Sequence, residues 1–279
     1  MPSVMWFRRD LRLFDNPALN AAIDSAANDG DSNVVALFNI DPKVFDDAGD
    51  PLKAYQDASL KSLDESLNNN LLIRHGDPKK VILEVAKAAK AKTVHISEDF
   101  EPYGRKRDFE VEKELEKNGI KLIRTGSPYA VAPFRVKKDD GTPYRVFTPF
   151  YKSWVIHGWR KPAPKFKKEP NWIKPLKNEG RPKVKSDIEI PKAGEKNALD
   201  LFTKFLKNGI KGYDQNRNRP DLEDNMHHFT DDEVKVATGK SVEEIKKLLL
   251  KYRYRPKHYA ELIGTTEERI EKIKQVIFS

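Results

Sequence analysis

The sequence contains no cysteine. That excludes disulfides, thiolate catalysis and cysteine-ligated zinc, and it suits a reducing compartment. No long apolar run precedes Arg8, and none elsewhere approaches the length of a bilayer span. A signal peptide and a membrane helix are therefore not expected, no membrane partner is expected, and the reading is a cytoplasmic protein. Glycine is sparse, at 14 of 279 residues, and forms neither G-x-G-x-x-G after the first strand nor G-x-x-x-x-G-K-[ST]. A dinucleotide fingerprint and a phosphate loop are both unsupported. The six histidines (75, 95, 157, 227, 228 and 258) show no H-E-x-x-H or other metal-ligand spacing, and no serine sits in G-x-S-x-G. His227-His228 reads as an exposed pair.

Charge is abundant instead. Charged residues make up 34% of the chain and hydrophobic ones 38%, a profile that can still build a core, and 279 residues suggest two domains. The net charge of +9 permits contact with nucleic acid or an anionic surface without establishing either.

Residues 1–130 alternate short apolar runs with helical periodicity. Ser3–Phe7 suits a buried parallel strand and breaks into the charged turn Arg8-Arg9-Asp10-Leu11-Arg12. Taken alone, that turn reads as solvated. Asn16-Pro17 then opens a helix, Asn accepting its first free N–H groups and Pro fitting the first helical position. Asn33–Ile40, Leu71–Ile73, Thr93–Ile96 and Ile120–Ile123 read as four more strands. Helices are expected over Pro51–Asn69, from Asp77-Pro78 onward, and over Pro102–Asn118 up to a stop at Gly119. Five strands joined by helices imply right-handed crossovers and an α/β fold with a doubly wound parallel sheet.

From 131 to 197 the rhythm is lost. Ten of the 18 prolines fall between Ser127 and Asn197, and Arg160–Lys196 carries seven more basic than acidic residues. Most of the net charge sits there, in what reads as a solvated interdomain connector. Residues 198–279 read as a small all-α domain, with one face built from Ala198, Leu199, Phe202, Phe205, Leu206 and Ile210. Ala260, Gly264, Ile270 and Ile273 match helix-turn-helix spacing, and Lys251, Arg253, Arg255 and Lys257 before them are candidate DNA contacts. The alternative to a plain helical hairpin is a non-catalytic DNA-binding or regulatory protein.

Several blocks carry a family resemblance. The opening W-F-R-R-D-L-R-L-F-D-N-P-A-L (Trp6–Leu19) is very similar to that of the photolyase/cryptochrome family. Leu60–Leu67, Ser97–Asp108 (with Glu101-Pro102-Tyr103-Gly104-Arg105-Lys106-Arg107-Asp108), Gly141–Trp154, and Gly194–Ala198 with Tyr213, Arg217, Asn218 and Pro220 also resemble family segments, in order. The resemblance implies a Rossmann-like sheet of order 3-2-1-4-5 holding an antenna chromophore of folate, deazaflavin or flavin type. Any ligand is expected over the carboxyl ends of the strands, near Arg8, Phe38, Asp41, Asp99 and Glu101, since ligands of open α/β sheets sit where the winding reverses. Glu101 has a second reading, as the cap of the helix that starts at Pro102.

After Pro220 the chain departs from the family. The family's flavin-gripping segment and long helical bundle are replaced by Asp221-Leu222-Glu223-Asp224-Asn225-Met226-His227-His228 and a short remainder. No tryptophan chain follows; Trp154, Trp159 and Trp172 read as packing residues, as do Tyr213 and Arg217. The resemblance thus implies an antenna-type module of light-dependent DNA repair or light sensing that is not catalytic alone and does not hold FAD by itself. A flavin-domain partner in trans would complete it.

Overall fold

The computed structural model describes residues 1–166 and 168–209. The chain divides into two compact units, Met1–Leu199 and Asp200–Ser279. Lys251, Arg253, Arg255, Lys257, Tyr213, Arg217 and the helix-turn-helix spacing lie outside the described residues.

Five parallel strands, β1 (Ser3–Phe7), β2 (Asn33–Ile40), β3 (Leu71–His75), β4 (Thr93–Ile96) and β5 (Lys121–Arg124), form a sheet of order 3-2-1-4-5. The central strand β1 is buried along its whole length. That is why it reads as a continuous apolar run rather than an alternating one. Helix α1 (Pro17–Asn28) starts where expected: the Asn16 side chain accepts the Leu19 N–H at 3.0 Å and Pro17 takes the first position. Asp77 caps α4 (Pro78–Ala88) in the same way through Lys79 N, at 3.0 Å. Between these helices come α2 (Pro42–Phe45) and α3 (Asp50–Ser66). Helix α5 (Pro102–Glu116) ends before Gly119, whose φ of +68° is one that side chains rarely adopt.

Strand parity sends alternate side chains into two cores. Val4, Trp6, Val35, Leu37, Val94 and Ile96 pack against α4 and α5. Met5, Phe7, Val34, Ala36 and Phe38 pack against α1 and α3. Each fully buried large aliphatic or aromatic side chain contributes roughly 1.5–3 kcal/mol, so these two layers carry the fold.

The connector departs from its expected form. Part of it is laid onto the sheet. Residues Asn171–Trp172 form β6, which pairs with Asn33 and Val34 of β2 below the point where β3 begins. Trp172 and Phe166 join one core, and Ile173 and Leu176 the other. Asn178 then lies along the outer edge of β3, its Oδ1 accepting Ile73 N at 3.0 Å and its Nδ2 donating to Leu71 O at 3.0 Å. Glu179 N donates to Ile73 O at 2.9 Å, and the Glu179 carboxylate accepts His75 N at 2.6 Å. A basic, proline-rich stretch thereby covers a strand edge that would otherwise offer unpaired backbone groups.

Two further helices follow. Helix α6 (Phe147–His157) has no buried residue. Helix α7 (Glu195–Lys204) continues as one π-helical turn, Phe205–Gly209, and Leu199, Phe202 and Leu206 on this stretch are about half exposed.

Candidate ligand crevice

In a 3-2-1-4-5 sheet the winding reverses between β1 and β4, and that is where the charged turn after β1 emerges. The turn is only partly solvated: Arg9 is exposed, while the Arg8 side chain is mostly withdrawn from water. Arg8 is paired with Asp108 on α5 and bonded to Ser97 O after β4. Burial lowers the pKa of its guanidinium, and the Asp108 carboxylate works against that shift. Arg9 grips the Glu101 carboxylate through both terminal nitrogens, which raises its own pKa. Arg12 donates to Asp15 O at 2.9 Å and to Phe14 O at 3.2 Å. The carboxylate of Glu195, at the start of α7, accepts Leu13 N and Phe14 N at 3.0 and 2.9 Å.

Below this layer sits Trp6, only 2% exposed, with the guanidinium carbons of Arg8 and Arg107 at 5.1 and 5.2 Å from its ring centre. Arg107 reaches Asp108 at 2.9 Å and Asp99 at 3.3 Å. Ser97 Oγ donates to buried Asp10. Such pairs are costly to open, because removing one partner strands the other charge out of water. Gly104 is required here by close approach: a Cβ there would lie 2.2 Å from Asp99 Oδ2.

One contact crosses the carboxyl ends of the strands. The Tyr103 hydroxyl, on the first turn of α5, donates to Asp41 Oδ2, on the loop after β2. Burial, then this bond to a carboxylate, raises the hydroxyl's pKa, so it stays a donor. Asp41 also caps α2 through Lys43 N at 3.1 Å. Near it on β2, Asn39 is 6% exposed; its Nδ2 donates to Gly76 O at 3.0 Å, but its Oδ1 has no protein partner. By strand parity Asn39 is on the same face as Leu37 and Trp6, the face that α4 and α5 cover.

The sequence-based site residues therefore separate. Arg8, Asp99 and Glu101 gather where the turn after β1 meets the start of α5, and Asp41 is bonded to Tyr103 of the same helix. Phe38 does not: it points to the opposite face and is buried in the α1/α3 core, as strand alternation requires. Of the two readings of Glu101, the side-chain cap is not the one the structure shows. The residue occupies the cap position of α5, yet its carboxylate makes no cap bond and is spent on Arg9; Asp99 Oδ1 accepts Glu101 N instead, at 3.1 Å. Sequence reasoning missed Tyr103, Arg107, Asp108 and Asn39 as site residues. The first three stand in the quoted block Ser97–Asp108, and Asn39 had its own signal, a polar residue inside the apolar run of β2. Among the described residues no group of three His, Asp or Glu is arranged to hold a metal ion.

The family model for DNA photolyase matches residues 3–169, which span β1 to the connector. The chain belongs to the DNA photolyase family. It is 30% identical over 239 residues to a deoxyribodipyrimidine photo-lyase of Synechococcus, an alignment that covers 78% of this chain and 48% of that protein. The fold matches that of a bacterial class III photolyase from Agrobacterium tumefaciens, with a TM-score of 0.68 at 23% identity, covering 99% of this chain and 57% of that one. It also matches an archaeal photolyase from Sulfolobus tokodaii with two FAD molecules, for which a novel light-harvesting cofactor is implied, with a TM-score of 0.62 at 21% identity. This photolyase-family chain spans about half the length of the relatives it matches. No helix among its described residues is long and apolar enough to cross a membrane.

Proposed function

We propose that the chain is a photolyase-type antenna module: it binds a chromophore of folate, deazaflavin or flavin type over the carboxyl ends of β1, β2 and β4, and it serves light-dependent DNA repair or light sensing together with a flavin-bearing partner. The observation that carries this reading is the group of polar side chains at the carboxyl ends of the strands, beside the winding reversal. A planar heterocycle with ring N–H groups suits it: Asn39 Oδ1 is a buried acceptor without a partner, the Tyr103–Asp41 pair offers a hydroxyl and a carboxylate, and Trp6 is a buried aromatic beneath the arginine layer. Burying a heterocycle there is favourable only if its polar edge is matched, which is what an orphaned acceptor supplies. The chromophore would contribute near-ultraviolet or blue absorption and pass its excitation on. The residues of this chain bind it, orient it and keep water from its edge. The Sulfolobus tokodaii photolyase, with its second FAD, supports a flavin as one member of the class.

Titration of the purified protein with a methenylated folate, a 5-deazaflavin and FMN, followed by absorption and fluorescence, tests the reading. One of them is expected to bind, and Asn39→Leu to weaken it by roughly tenfold or more, about the worth of one buried hydrogen bond to a ligand. Asp41→Asn should weaken it less, since the Tyr103 hydroxyl keeps an acceptor. Failure of all three ligands to bind, or equal binding by the Asn39→Leu variant, would overturn the proposal.

A further inference from the structure

A second recess lies along α5, on the side toward β5. Helical spacing divides that helix: Gly104 and Asp108 are buried, whereas Arg105, Lys106 and Phe109 are exposed. Together with the loop after β4 and Arg124 of β5 they line an open pocket of about 580 Å³, a size usual for small-molecule sites. Its inner wall is already satisfied: Arg107 pairs with Asp99 and Asp108, and Asp108 also holds Arg8. Arg124 is fixed by Glu112 through two bonds, at 2.6 and 3.0 Å. Three charged groups of the lining are left over. Arg105 and Lys106 make no ion pair with any described residue, and the Glu98 carboxylate has no hydrogen-bond partner among them. Two rings complete the lining. Phe100 meets Tyr129 edge-on at 6.0 Å, and Phe109, 53% exposed, has Lys113 over its ring at 4.3 Å.

We infer that this pocket is a second ligand site and that it takes a mononucleotide: a flat base, a ribose and a phosphate. The unspent groups select that chemistry. Two free cations on adjacent residues match an anion with several acceptor oxygens, and phosphate bonds to such cations are charge-assisted. Inorganic phosphate alone would leave both rings unused and would meet the Glu98 carboxylate as a like charge. A vicinal diol supplies what that carboxylate lacks, since an ionised carboxylate only accepts and two hydroxyls can donate to its two oxygens. An uncharged nucleoside would leave Arg105 and Lys106 unanswered. The rings of Phe100 and Phe109 offer stacking to a base, a contact that tolerates any base because each has a π-face. The nucleotide can be free or can be the 5′ end of a strand, and the chemistry is the same. None of the three unspent groups belongs to the chromophore crevice, so this site stands whether or not a chromophore binds there.

Isothermal titration of the 279-residue protein with AMP, inorganic phosphate, adenosine, 2′,3′-dideoxy-AMP and the 5′-phosphorylated dinucleotide pApA tests this. AMP is expected to bind with a submillimolar Kd, at least ~10-fold tighter than phosphate, adenosine or the dideoxy analogue, and to weaken as salt screens the cations. Arg105→Gln and Lys106→Gln, both at exposed positions, are each expected to weaken AMP by ~10-fold or more, as loss of a charge-assisted bond to phosphate requires. Far-ultraviolet circular dichroism and the melting temperature should not change in either variant. Glu98→Gln should remove most of the preference for AMP over its dideoxy analogue. Binding of pApA as tight as that of AMP identifies a strand end as the source and weaker binding a free nucleotide, and both results uphold the site. Absence of AMP binding at millimolar concentration, equal binding of phosphate and AMP, or AMP binding that survives both glutamine substitutions would each overturn the inference.

Discussion

His95 is 1% exposed, in the middle of β4 and in register with Met5, and neither of its ring nitrogens has a protein partner. Burial alone lowers its pKa from 6.5 to about 4. The sign of the linkage follows directly. Above pH 6.5 the imidazole is neutral in folded and unfolded chains, and it contributes no pH dependence. As pH falls from 6.5 toward 4 the unfolded chain takes up a proton that the folded one refuses, so stability declines across that window, by at most about 3 kcal/mol. Urea unfolding at pH 7 and at pH 4.5 measures it, with His95→Leu as control. The variant should match or exceed the parent at pH 7, because it removes two unsatisfied buried nitrogens, and it should lack the histidine's share of the acid loss. Parallel pH profiles for the two proteins would rule the mechanism out.

At the scale of the element, legibility followed the kind of interaction that holds each piece. Buried parallel strands and side-chain caps are written locally, so β1, β2 and β4 and the starts of α1 and α4 were readable from Ser3–Phe7, Asn16-Pro17 and Asp77-Pro78. β3 runs on through Arg74 and His75, two polar residues that its apolar run excluded, because Glu84 on α4 and Glu179 of the connector, about a hundred positions away, satisfy them: Arg74 pairs with both, and His75 N donates to Glu179. β6 is two residues long and has no period to detect. The strap on β3 is held by the Asn178 amide reading two backbone groups and by two bonds of Glu179, and no composition rule encodes that. Asn178→Ala should therefore cost about 1–2 kcal/mol, for two hydrogen bonds lost at a strand edge. It should also raise hydrogen exchange at Ile73 N while leaving β1 protected. If exchange at Ile73 did not change, the strap would be incidental.

At the scale of the whole molecule, the crevice was legible in outline and not in detail. Its position follows from topology, which the alternation of elements dictates. Its chemistry depends on which residues the folded loops pair, and the turn's arginines could not be matched to Glu101, Asp108 and Ser97 from their order in the chain. What such a chain can do alone then turns on how much of the family's length it holds. Repair of pyrimidine dimers in this family is expected to need an electron passed from reduced flavin to a dimer turned out of the duplex into an adjacent pocket, and unstacking the damaged base costs a few kcal/mol that this pocket must recover. The chain spans about half of the photolyases it matches, and at the turn after β1 two arginines are already engaged, Arg8 with Asp108 and Arg9 with Glu101. The purified chain, given reduced FAD, ultraviolet-damaged oligonucleotide and blue light, is therefore expected to leave dimer content at the level of a no-protein control. Light-dependent loss of dimers would mean that a flavin site exists in this chain beyond the crevice, and the reading of it as an antenna module would fall.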